Sequence, residues 1–143
     1  MSVRNERVEQ HRTVRATSEQ VWALVSDPGW FIRGHPGAPA VEKINDRLTM
    51  VHDDECGIRV IRTVDRIRPL YVAFRWEALG GAFHVPTLVQ FWIDDLGDGT
   101  IRLRVCESGF AADPVLGEEH DRTLDDNDQG WAEALESVRT YFE

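Results

Sequence analysis

The strongest hydrophobic pattern lies at the end of the chain, where Trp131, Leu135, Val138 and Phe142 recur at helical spacing and Ala134 widens the same stripe. Glu133, Glu136, Ser137 and Thr140 fill the other side, so the spacing predicts an amphipathic helix over Asp125–Glu143. Asp126 followed by Gln129 has the form of a capping box, in which each side chain serves a free backbone N–H. Gly130 stands out, because glycine inside a helix costs about 1 kcal/mol relative to alanine. A backbone lying close against a sheet or a bound molecule would account for it.

Upstream the period changes. Val8 to Ala16 alternates as a first strand, with its arginines expected outward. Thr17 and Gln20 cap a short helix through Val21, Trp22, Leu24 and Val25, which Asp27-Pro28-Gly29 ends. Trp30 to Pro39 is a Gly/Pro-rich loop whose Trp30, Phe31 and Ile32 either plug the core or form the lip of a pocket. Strands then follow one another: Val41–Ile44 and Leu48–Val51 around Asn45-Asp46-Arg47, Ile58–Ile67, Leu70–Ala78, His84–Asp94 and Ile101–Val105, the last two joined by Gly97-Asp98-Gly99. Ala111 to Asp128, with seven carboxylates against Arg122, reads as an acidic connection with room for a helical turn around Val115 to Glu119, either a lid or a solvated linker.

The order is strand, helix, a meander of about six strands, then a long helix, which predicts an α+β, two-layer architecture with an antiparallel sheet. A long antiparallel sheet curls, and one helix lying in its concave side leaves room for a ligand pocket.

Composition narrows the reading. At 143 residues the chain is expected to form a single domain over 1–143, and 42% apolar residues with five tryptophans give it a core. A net charge of −9 opposes nucleic acid and anionic membrane as main partners. Cys56 and Cys106 match no metal or redox spacing and are expected as free thiols. Met1 to Arg15 has no apolar run, and nothing approaches the length of a membrane span, so the expected location is cytoplasmic.

Four stretches, in order, resemble bacterial members of the Aha1-like branch (activator of heat-shock protein 90 ATPase) of the START/SRPBCC superfamily, which includes Bet v 1-like and polyketide cyclase-like proteins. They are Ala16-Thr17-Ser18-Glu19-Gln20-Val21-Trp22 with Asp27-Pro28, Pro69 to Glu77 ending Phe74-Arg75-Trp76-Glu77, Gly99 to Phe110, and Asn127 to Glu143 with Gly130-Trp131. The resemblance implies a helix-grip fold with a hydrophobic cavity under the C-terminal helix. It implies no single activity, since relatives bind lipids or hormones or cyclise polyketides.

Among residues that carry chemistry, Glu107 comes first. If Ile101, Leu103 and Val105 face inward, period-two alternation brings Glu107 inward too, as a general base, a polar ligand contact or a structural carboxylate. Arg62, between Val60 and Val64, faces either the cavity or, past a bulge near Asp65, the solvent; His84 is expected at the surface. His52-Asp53-Asp54-Glu55-Cys56 and Glu118-Glu119-His120-Asp121 lack metal-ligand spacing and read as solvated loops, and His35 has no evident partner. No metal and no cofactor is expected. The leading function is binding of a small apolar or aromatic molecule by Trp76, Phe74, Phe91, Trp131, Leu135 and Val138, with Glu107 as polar contact. A cyclase- or hydrolase-type enzyme using Glu107, and a co-chaperone-like interaction module or homodimer, stay open.

Overall fold

A computed structural model describes residues 7–28, 30, 41–53, 57–77, 87–109 and 117–143. In chain order the elements are β1 (Arg7–Val14), α1 (Ser18–Val25), β2 (Val41–Lys43), β3 (Leu48–Asp53), β4 (Gly57–Ile67), β5 (Tyr71–Glu77), β6 (Leu88–Asp95), β7 (Ile101–Ser108) and α2 (Gly117–Tyr141). The strands form one sheet in the order β1-β7-β6-β5-β4-β3-β2, antiparallel at every pairing. Strands β2 to β7 are the expected meander, and β1 returns to pair with the last strand. The sheet is curved.

Alternation decides which side is covered. Val8 and Val14 of β1, Ile101, Leu103 and Val105 of β7, Val89, Phe91 and Ile93 of β6, and Val72 and Phe74 of β5 are all buried. They join Val21, Trp22 and Val25 of α1 and Leu124, Trp131, Leu135 and Val138 of α2 in one cluster. Both helices therefore cover the same face of the sheet. Full burial of side chains such as Leu135 and Val138 stabilises by roughly 1.5–3 kcal/mol each.

Local chemistry holds the connections. Thr17 accepts from the Gln20 backbone N–H at 3.1 Å while the Gln20 side chain accepts from Thr17 N–H at 2.9 Å, the reciprocal cap expected for α1. Asn45 accepts from the backbone of Arg47 and Leu48, closing the β2–β3 turn. Gly97 and Gly99, with φ of 81° and 86°, supply the left-handed positions of the β6–β7 turn.

Three expectations need correction. The C-terminal helix does not start at Asp125: α2 has 25 residues and starts at Gly117, so much of the acidic connection is helical. Leu124, 1% exposed, adds an earlier apolar position to the Trp131 stripe, and glutamate is itself a good helix former. Asp126 and Gln129 thus sit inside the helix, where Gln129 donates to Glu133 one turn on rather than capping. At Gly130 a built β-carbon meets no atom of the described residues within 4 Å outside its own helix backbone, so a close approach of the sheet does not account for this glycine. Finally, Arg12 does not point outward as Arg7 does. It shares the inner side with Val8 and Val14 at the sheet edge, where it reaches Glu136 of α2 at 3.2 Å. An edge position lets the guanidinium keep contact with water while its stem covers apolar surface.

Candidate functional site

The alternation along β7 carries Glu107 to the inner face, where it is 4% exposed. Its register partners are Val8 of β1 and Val89 of β6, both buried. Two side chains from elsewhere in the fold converge on this carboxylate. The Trp131 indole N–H, from α2, donates to Oε1 at 2.8 Å. The Thr87 hydroxyl, from the residue before β6, donates to Oε2 at 2.5 Å. Thr87 is itself buried, and its carbonyl accepts from Trp76 N–H on β5.

Aromatic rings surround the Trp131 end of this arrangement. Phe91 meets Trp131 edge-on at 5.7 Å between centroids and Phe74 at 6.2 Å. Trp30 lies 5.6 Å from Phe91 and is buried, so this residue of the Gly/Pro loop plugs the core; Phe31 and Ile32 lie outside the described residues. Contacts of this kind contribute roughly 0.5–1.5 kcal/mol beyond area burial. Leu135 and Val138 are fully buried in the same cluster, and Trp76 packs against it half-buried. The structure thus draws Phe74, Phe91, Trp131, Leu135, Val138 and Glu107 together, with Trp76 at the margin. Thr87 is the member not expected as a site residue, although the alternation Val85, Thr87, Val89, Phe91 and Ile93 puts it on the inner face.

A carboxylate in such surroundings is costly unless hydrogen-bonded. An ionised carboxylate only accepts, and both oxygens of Glu107 are met by donors that themselves need a partner when buried. The chemistry available is therefore orientation of a donor, or transfer of a proton at Glu107.

Other candidates fall elsewhere. Arg62 lies opposite Arg75 in the ladder, while its neighbours Ile61 and Thr63 lie opposite the inward Trp76 and Phe74. Arg62 therefore belongs to the outer face, and the register shift between Thr63 and Asp65 comes only after it. His35, Cys56, Gly80-Gly81 and His84 lie outside the described residues, as do Asp54 and Glu55. The 117–121 backbone is helical rather than a loop. Cys106 is a free, buried thiol whose pKa is raised first by burial and then by the Glu9 carboxylate. Among the described residues no group of three or more His, Cys, Asp and Glu is placed to hold a metal, and no helix is long and apolar enough to cross a membrane. A surface pocket of about 390 Å³ is lined by Thr13, Arg15, Thr100, Arg139 and Glu143. It lies at the start of β7, about 20 Å along the strand from Glu107.

No protein-family model matches the chain, and no curated protein matches it. Solved structures do. An Aha1 dimer from Colwellia psychrerythraea superposes with a TM-score of 0.72 at 10% identity, over 96% of each chain. A START superfamily protein from Mycobacterium smegmatis gives 0.68 at 17% identity, over 96% of this chain and 99% of that one. This is a helix-grip fold. DynU16, a protein in the dynemicin biosynthetic locus, extends the likeness with a TM-score of 0.69 at 18% identity, over 96% of this chain and 47% of its own. The resemblance carried by the four sequence stretches is borne out as a relationship of fold. In helix-grip terms α2 is the gripped helix, and Glu107 is the polar position where the grip meets it.

Proposed function

We propose that this chain is a single helix-grip domain that binds a small apolar or aromatic molecule between the sheet and α2, with Glu107 as its polar contact. One observation carries the reading: a carboxylate is kept on the apolar inner face, at the meeting of β7, the start of β6 and α2, and is oriented there by an indole and a hydroxyl. Stability alone favours an apolar residue of similar size at such a position. Retention of a polar group in an otherwise apolar, concave fold is the usual mark of a binding site. A START superfamily protein and a protein from a biosynthetic locus among the structural neighbours agree with it. We place the protein in the cytoplasm, with no nucleic acid or membrane as partner, in keeping with its acidic balance.

Native mass spectrometry on freshly purified protein, against the denatured mass, tests this. The expected result is a reproducible non-covalent excess mass of a small molecule, reduced in Trp131→Ala and Glu107→Gln relative to their folded fractions. A bare mass, together with no retention of neutral aromatic compounds added at high micromolar concentration, would overturn the reading. The same spectra count chains, which bears on whether this protein pairs as the Colwellia Aha1 protein does.

A further inference from the structure

We infer that the ligand of this site is a neutral or cationic aromatic compound that donates a hydrogen bond (a phenol, an alcohol or an amine) and that carboxylates, fatty acids included, are rejected. This rests on the ligand-binding reading above and specifies its chemistry.

The polar groups at the site set the selection. Glu107 offers acceptor oxygens. The Trp131 indole has a single N–H, and it points at Oε1. The Thr87 hydroxyl is a rotor: it gives its proton to Oε2 in the present arrangement, and can turn to accept from a ligand that donates to Oε2 in its place. A donor-bearing ligand can therefore enter without stranding Trp131 or Thr87. Beside an ionised Glu107 an anionic ligand is a second negative charge, in a place where burial weakens screening.

Among the described residues, two guanidiniums on the inner side of the sheet that could supply countercharge to such an anion have other work. Arg12 lies opposite Leu103, about 13 Å along β7 from Glu107, and is bound to Glu136. Arg66 stands over the Trp22 ring at 5.7 Å. The rings favour the same class of ligand: Phe74, Phe91 and Trp131 already meet edge to face, a geometry that another aromatic ring extends.

The test uses three probes of one shape, naphthalene, 2-naphthol and 2-naphthoate, titrated at neutral pH in competition with the uncharged dye Nile red. The expected order is 2-naphthol tightest and 2-naphthoate weakest, with at least a tenfold gap between them. In Glu107→Gln, which keeps the shape and removes the charge, the gap is expected to shrink to about threefold or less. Equal or tighter binding of 2-naphthoate by the native chain overturns the inference, and so does a gap that persists in Glu107→Gln. If Glu107→Gln fails to fold, the native order decides alone. If neither Nile red nor any probe binds the folded chain, the ligand-binding reading falls and this inference falls with it. Binding of naphthalene without preference between the other two overturns the selectivity and leaves the binding site standing.

Discussion

Two glutamates meet helix α2 under opposite conditions. Glu136 stands on the rim, partly exposed, and takes hydrogen bonds from Arg139 on its own helix at 2.5 Å and from Arg12 of β1 at 3.2 Å. Its carboxyl is held below the ordinary glutamate range, first by the bond from Arg139 and further by Arg12, against a desolvation that pushes the other way. Glu107 is buried and takes its bonds from an indole and a hydroxyl. At the rim, charge meets charge in water and clasps the helix loosely to the edge strand. In the interior a carboxylate replaces what would otherwise be one more apolar residue in the row of Val8, Val89 and Phe74. Departures from local consistency of that sort gather at functional sites. The comparison can be broken at either end.

The largest effect is expected at the buried end. Trp131→Ala removes a ring that is 6% exposed and is expected to cost about 3–5 kcal/mol in denaturant unfolding. Trp131→Phe keeps most of the ring and removes the N–H, leaving Glu107 with one donor fewer; the expected cost is about 1–3 kcal/mol. If the two variants cost the same, the hydrogen bond rather than the ring holds Trp131. If Trp131→Phe is neutral, Glu107 does not depend on the indole, and the contrast with Glu136 loses its basis. Leu124→Ala, at the early end of the stripe, is expected to cost about 2–5 kcal/mol. A variant there within about 0.5 kcal/mol of the parent would show that the first turns of α2 do not dock.

How far these residues could be read in advance follows from the range over which each is determined. The alternation Ile101, Leu103, Val105, Glu107 is local, and it correctly carried Glu107 to the inner face. The cap at Thr17 and Gln20 and the turn at Gly97-Asp98-Gly99 are likewise short-range chemistry, and were legible for that reason. The start of α2 was not, because a run of acidic residues reads as a loop by composition, and the burial of Leu124 exists only once the sheet is in place. The inward turn of Arg12 depends on β1 being an edge strand under the rim of α2, and the partnership of Glu107 with Trp131 spans 24 positions. Alternation identifies a face; it does not say which side chains meet across the layer.

Between the two glutamates in size of effect stands Gly130. The position is exposed, lies inside α2 and has open space where a β-carbon would go. Gly130→Ala is therefore expected to stabilise by about 0.5–1 kcal/mol through helix propensity and a less free unfolded chain. Ligand retention should be unchanged, because Gly130 is exposed and the added methyl enters open space. A loss of ligand in a stabilised Gly130→Ala protein would mean that the helix must bend or open there, and would bring the glycine back into the function.

The smallest effect is expected at the rim, where its dependence on conditions matters more than its size. Because the carboxyl of Glu136 is depressed in the folded state, its contribution is present above the ordinary glutamate value of about 4.3 and is lost as pH falls through the lower, folded value. The stability gap between the parent and Glu136→Gln should therefore close in acid. At neutral pH it should also narrow as salt is raised, since both partners are within reach of solvent. The gap between the parent and Trp131→Phe should not respond to salt, because its donor carries no charge and its acceptor is buried. If both gaps respond alike, Glu107 sits in water as Glu136 does, and a buried carboxylate can no longer be the reason to look for a ligand there.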